Sequence, residues 1–163
     1  MFLGTFVNLW KGEVTLSLTG FVGQEVRKFD QVNRMAIPPI FRKDLGDTII
    51  VLKSIHDDPC LVLFSEQEWF NFSEEVISKF EGKKQAIAQR KLAGMIDKVI
   101  PDKSGRITIK DDFKAHAHLQ SEVLAVGTAN RVELWAPDVW DEWNDAQDIS
   151  FDNISYSTTG GNR

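Results

Sequence analysis

The chain spells Asp-x-x-x-Arg twice, 72 residues apart, and the same succession of residues follows each copy. FDQVNR (29–34) runs into MAIPPIFR, and PDKSGR (101–106) runs into ITIKDDF. One shift carries Asp30 onto Asp102, Arg34 onto Arg106, Ile37 onto Ile109 and Phe41 onto Phe113. Self-similarity at a fixed period constrains a fold more than any local motif. After each motif the apolar residues alternate, Met35 with Ile37 and Ile107 with Ile109, which predicts a half-buried strand. A brief helical turn should follow, PPIFRKDLG in one copy and DDFKAHAHL in the other, with Pro38 and Pro39 suited to a helix start. Next come apolar strands, TIIVLK and EVLAVG, then turns at SIHDDPC and TANR. The last strands, LVLF and VELW, match under a shift of 71.

Helices are expected after each last strand. Ser65 and Glu68 read as a capping box, with Trp69, Phe72, Val76, Ile77 and Phe80 at helical spacing and Gly82 as the terminator. A second helix is predicted over about 83–94, with Ala88, Leu92 and Met95 along one side. Pro137 starts another, carrying Val139, Trp140, Trp143 and Ala146. These aromatic stripes read as core. A copy of about 45 residues buries too little apolar area to fold alone. The expectation is therefore an α+β, β-rich fold in which two pseudo-symmetric halves share one core. The first half spans 1–81, the second 82–147, and 148–163 is an aperiodic tail expected to be disordered.

Composition bears on partners. With 42% hydrophobic and 26% charged residues the chain reads as soluble and globular. No apolar run reaches membrane-span length, and MFLGTFVNLWKGE lacks the order of a secretory signal. A cytoplasmic location is expected. The single Cys60, inside CLVLF, reads as a buried, inert thiol. Net charge is -5, but it is segregated. Residues 83–110 hold eight basic against two acidic side chains, and 25–45 hold five against three. Both basic segments surround the repeated motif, an asymmetry that points to nucleic acid.

The motif has a physical reading. Asp30 and Asp102 can accept backbone N–H bonds at a turn. Asn33 and Gly105 share one slot and are the residues most tolerant of positive φ. Arg34 and Arg106 should face outward, opposite the apolar alternation. Each Asp–Arg pair is then either a weak exposed salt bridge or a carboxylate holding a guanidinium in pose for a phosphate or a guanine edge. Catalysis is not expected. His116 and His118 do not share a helix face, His56-Asp57-Asp58 reads as a turn, and no nucleophile elbow or phosphate-binding loop is spelled. No metal or cofactor is expected.

Taken together, MFLG, the doubled Asp-x-x-x-Arg with IPPIFR and DKSGRITI, CLVLF with EQEW, and VELWAPDVW resemble the MraZ family of bacterial transcriptional regulators, over roughly residues 1–7 and 26–145. The resemblance implies two AbrB-like swapped-hairpin halves forming a β-barrel-like core with flanking helices, assembled into a ring of subunits. It implies binding of double-stranded DNA at short G-rich direct repeats upstream of the division and cell-wall gene cluster, usually as a repressor, at the nucleoid. DNA contact then falls on Arg34 and Arg106, positioned by Asp30 and Asp102. Charge and proximity add Lys28 and Lys103 as phosphate contacts. Two departures stand out. NLWKGEVTLSLTGFVGQEVRK precedes the first motif as an insertion over about 8–25, readable as a hairpin of VTLSLTG and FVGQEV. Val32-Asn33 also replaces the family's Lys-Gly. A purely structural ring or interaction scaffold is the rival reading.

Overall fold

A computed structural model describes residues 20–157. The first copy runs β1 (Gln24–Lys28), β2 (Arg34–Ala36), α1 (Pro39–Leu45), β3 (Ile49–Lys53), β4 (Leu61–Ser65) and α2 (Glu66–Ser78), and α3 (Lys83–Ala93) follows, beyond the boundary expected at 81. The second runs β5 (Ile96–Val99), β6 (Arg106–Thr108), α4 (Asp111–His116), β7 (Glu122–Gly127), β8 (Val132–Trp135) and α5 (Pro137–Asp145). The fold is α+β and mostly antiparallel, with the two-repeat organisation the sequence implies.

The halves exchange strands. β1 of the first copy pairs with β7 of the second, and β5 of the second pairs with β3 of the first. The six-stranded sheet has the order β1-β7-β8-β4-β3-β5. Its end strands do not pair with each other, so the barrel-like core is an open sheet rather than a closed cylinder. A two-stranded ribbon, β2 with β6, lies outside it.

The register places the pseudo-dyad. In the ribbon Met35 pairs with Ile107, which is also its equivalent under the 72-residue shift. In the sheet Val62 pairs with Glu133, equivalents under the 71-residue shift. When a residue pairs with its own repeat partner, the pseudo-dyad passes midway between the two. The axis therefore passes through the centre of the ribbon and the centre of the sheet.

The central strands read as continuous apolar runs because both faces of the sheet are covered. Ile49, Val51, Leu61, Leu63, Val123, Ala125, Val132 and Leu134 point into one buried cluster, shared with Met35, Ile37, Ile107 and Ile109 of the ribbon and Phe41 and Phe113 of α1 and α4. Ile50, Leu52, Val62, Phe64, Leu124, Val126 and Trp135 point into the other, under Trp69, Phe72, Val76 and Ile77 of α2, Leu92 of α3 and Trp140 and Trp143 of α5. The tryptophans are core, as their spacing implies. Trp135 meets Trp140 edge-on at 5.2 Å and Trp143 at 5.1 Å.

Three local readings are adjusted. The Ser65 hydroxyl caps α2 by accepting from the Glu68 backbone N–H at 3.2 Å, but no return bond from the Glu68 side chain is formed among the described residues. Gly82 does not end α2, which stops at Ser78 with Lys79 as its C-cap. Gly82, at φ 57, is instead the N-cap of α3, and Phe80 falls off the helix into solvent. Glycine is enriched just past helix ends and only modestly at N-caps, so the local signal favoured a terminator; here its positive φ makes the turn into α3. Of the expected N-terminal hairpin, VTLSLT lies outside the described residues. FVGQEV leads into β1, whose partner here is β7.

Phe41 is fully buried between the ribbon and the sheet. Phe41→Ala should cost about 3–5 kcal/mol of unfolding free energy, measurable by urea denaturation. A loss under ~1 kcal/mol would mean that α1 does not hold the ribbon on the sheet.

Candidate nucleic-acid interface

The two motif loops have the same internal wiring. The Asp30 N–H donates to the Arg34 carbonyl at 2.9 Å, and the Asp102 N–H to the Arg106 carbonyl at 2.9 Å. Oδ1 of Asp30 accepts from the backbone N–H of Val32 (3.0 Å) and of Arg34 (2.9 Å). Oδ1 of Asp102 accepts from Ser104 and Arg106, both at 2.9 Å. The other carboxylate oxygen takes the arginine Nε, at 2.7 Å in the first loop and 2.8 Å in the second. One aspartate thus closes the turn with one oxygen and orients the guanidinium with the other. The turn needs a left-handed residue just before the arginine. Asn33 has φ 60 and Gly105 has φ 74.

The ribbon brings the loops side by side. Residues directly opposite in an antiparallel pair point to the same face. Arg34, opposite Thr108, and Arg106, opposite Ala36, therefore share the outer face while Met35 and Ile107 face the core. The register is locked at both ends by reciprocal bonds, Ile37 N–H to the Gly105 carbonyl and Ile109 N–H to the Asn33 carbonyl, each 2.9 Å. Nη1 of Arg106 comes within 4.0 Å of Asp30 of the other loop. Both arginine side chains remain 38% exposed, and their Nη atoms make no hydrogen bond among the described residues.

Lys28, on β1 two residues before Asp30, and Lys103, at the tip of the second loop, are exposed. Neither ammonium has a hydrogen-bonding or ion-pair partner among the described residues. All six residues singled out from the sequence thus belong to, or lie next to, the paired loops.

Two further cations belong to the same place. Arg42 and Lys114 are equivalents under the 72-residue shift, and each reaches the loop of the other half. Nε of Arg42 donates to the Ile37 carbonyl at 2.8 Å and lies where a side chain at Gly105 would begin: a Cβ there would sit 2.6 Å from it. Lys114 instead donates to the Asn33 side-chain oxygen at 3.0 Å and lies 4.3 Å from the centre of the Phe29 ring. Nδ2 of Asn33 donates in turn to Asp111 at 2.7 Å. So the Asn/Gly difference has a cause. The first loop needs a side chain that α4 can hold, and the second needs none, because Arg42 fills the space. The signal available in the sequence was a basic residue at the same repeat position in both halves.

The carboxylates are held in their charged form. In each loop the arginine backbone N–H, together with the guanidinium, keeps the aspartate below the ordinary 3.8, outweighing some desolvation. A folded pKa below the unfolded one contributes stability that is complete above the ordinary value and lost as pH falls through the depressed one. Cys60 is inert for a different reason. Burial, with Glu133 and Asp58 nearby, pushes its thiol up to about 12. A cavity of about 450 Å³ between the end of α1 and the start of α2 shares no residue with either loop. Among the described residues no three His, Cys, Asp or Glu side chains are grouped to hold a metal ion, and no helix is long and apolar enough to cross a membrane.

Two outcomes follow from this geometry. Carboxyl carbon NMR should place the titration midpoints of both Asp30 and Asp102 below 3.8. Gly105→Ala should destabilise by about 1–3 kcal/mol through its positive φ and the Arg42 clash. Adding Arg42→Ala should recover part of that loss in denaturant melts, whereas equal losses would remove Arg42 from the account.

Comparison with known proteins finds the same internal repetition. The family model described as "MraZ protein, putative antitoxin-like" matches twice, at 21–91 and 94–160, once over each motif loop. The first match begins at Phe21, so FVGQEV lies within the matched range and MFLG outside it. A transcriptional regulator MraZ from Caldanaerobacter subterraneus subsp. tengcongensis is 35% identical over 136 residues, 82% of this chain and 93% of its own. One from Oenococcus oeni is 36% identical over 141 residues, 85% and 96%. One from Ligilactobacillus salivarius is 34% identical over 137 residues, 83% and 94%. With two matched repeats spanning most of its length and relatives above 30% identity, the chain belongs to the MraZ family.

Proposed function

We propose that this chain is a sequence-specific DNA-binding transcriptional regulator without catalytic activity, working in the cytoplasm at the nucleoid. It binds short G-rich direct repeats upstream of the division and cell-wall gene cluster as a ring-shaped homo-oligomer and acts there as a repressor. The observation that carries the reading is the pair of aspartate-held arginines on one face of the β2–β6 ribbon, whose Nη groups make no hydrogen bond, and the lysines beside them, whose ammonium groups have no partner, among the described residues. Relatives named as transcriptional regulators support the same reading.

The chemistry is modular. A guanidinium fixed through Nε keeps its Nη pair for O6 and N7 of guanine, the commonest specific contact in the major groove. Asp30 and Asp102 act by positioning, so that little side-chain entropy is lost on binding. Lys28 and Lys103 take phosphates and set register without carrying sequence information. Each subunit binds weakly. A ring lays several subunits along tandem repeats, and effective concentration raises the affinity. Charge supports a head-to-tail ring. α3 carries Lys83, Lys84, Arg90 and Lys91 with no acidic residue, and α5 carries Asp138, Asp141, Glu142 and Asp145 with no basic one. Exposed Phe70, Phe80 and Ile87 lie on or beside α2 and α3.

The total charge of -5 favours a second reading, a ring that serves as an interaction scaffold without specific DNA binding. Fluorescence anisotropy separates them. Wild type should prefer tandem G-rich repeats over scrambled duplexes and weaken steeply with salt. Arg34→Ala and Arg106→Ala should each lose about 1–3 kcal/mol of that preference. Lys28→Ala and Lys103→Ala should keep the preference but each lower the log–log salt slope by about one. Absence of any preference in wild type supports the scaffold.

A further inference from the structure

The two loops share a frame but not a tip. Asp30-Gln31-Val32-Asn33-Arg34 stands against Asp102-Lys103-Ser104-Gly105-Arg106. Val32 is 58% exposed, and Ser104 holds its slot in the twin loop. A single exposed valine ordinarily needs no explanation. This one is held in place by its surroundings. Its N–H donates to Oδ1 of Asp30, whose other oxygen holds Nε of Arg34. The next residue, Asn33, is tied to Asp111 and Lys114. Nor does the loop require an apolar group there, because the second loop makes the same bonds around a serine. A branched apolar side chain is therefore presented on a rigid support, two residues from an arginine whose Nη atoms make no hydrogen bond among the described residues.

We propose that Val32 is a specificity residue that packs against the 5-methyl group of a thymine beside the guanine contacted by Arg34. The proposal rests on the reading of the loops as DNA-reading heads. The thymine methyl is the apolar feature that base edges offer in the major groove. Valine presents two methyls on a χ1 with few alternatives, so little rotamer freedom is lost on contact. The second loop, with Lys103 and Ser104 at its tip, lacks this contact and reads guanine without a preference for thymine. The pseudo-dyad alone would suit a palindromic site. With unlike heads, a subunit tells the two directions of a repeat apart, so tandem repeats in one orientation are bound in one orientation.

The test uses the full chain and tandem G-rich duplexes in which every thymine is replaced by uracil, which deletes the methyl and leaves the hydrogen-bonding edge intact. Wild type should lose about fourfold in affinity per engaged head, the transfer free energy of one methyl group. Val32→Ser places in the first loop what the second already carries, so the fold is preserved. This variant should bind thymine and uracil duplexes equally, at the level of wild type on uracil. Equal wild-type affinity for both duplexes, with the repeat preference still lost in Arg34→Ala, overturns the methyl contact and leaves the DNA-reading function standing. Equal losses in wild type and Val32→Ser place the methyl effect in duplex shape and also overturn it. A wild type that does not distinguish repeats from scrambled duplexes removes both proposals together.

Discussion

Three residue pairs, Arg34 with Thr108, Met35 with Ile107 and Ala36 with Arg106, hold the two halves of the ribbon together. Everything on the outer face depends on them. A three-residue strand has no stability of its own. This one persists because Met35, Ile37, Ile107 and Ile109 are fully buried against the sheet. Apolar burial beneath the ribbon thus fixes the position of two polar loops above it. Without the pairing, each Asp–Arg turn would be an isolated surface salt bridge of little consequence. With it, two guanidinium groups are delivered to one face at a spacing set by backbone geometry.

Strand exchange explains why one chain carries the motif twice. β1 completes the sheet of the other half, and so does β5, so neither copy can bury its apolar faces alone. Arg42 and Lys114 repeat this exchange at the side-chain level: Lys114 bonds Asn33 of the opposite loop, and Arg42, bonded to Ile37 of its own half, lies over Gly105 of the other. The symmetry is close in the backbone and broken in the side chains. Within one frame the loops differ at Asn33 and Gly105, at Val32 and Ser104, and at Gln31 and Lys103.

Much of this was legible in the sequence, for identifiable reasons. The period-2 alternation after each motif and the apolar runs of the central strands are local signals, and the strands lie where those signals place them. Asn and Gly in one slot announced the left-handed turn, and the observed φ values agree. What was not legible is long-range. No local pattern says that β1 pairs with β7 rather than with a neighbour, or that Arg42 lies over Gly105, because such contacts are set by tertiary register. Gly82 reads as a terminator because glycine is favoured past helix ends, whereas here it starts α3. The matched first repeat begins at FVGQ rather than at MFLG, though both offer an apolar pair and a glycine.

The central claim is that the guanidinium groups of Arg34 and Arg106 meet the guanine edge in the major groove. Replacing the guanines of a tandem repeat with 7-deazaguanine removes the N7 acceptor and leaves Watson–Crick pairing intact. The account predicts that affinity then falls toward that of a scrambled duplex, with the salt-dependent background unchanged. Undiminished binding to the 7-deazaguanine repeat would contradict it, and the paired loops would have to be read as a device for holding the ribbon rather than for reading DNA.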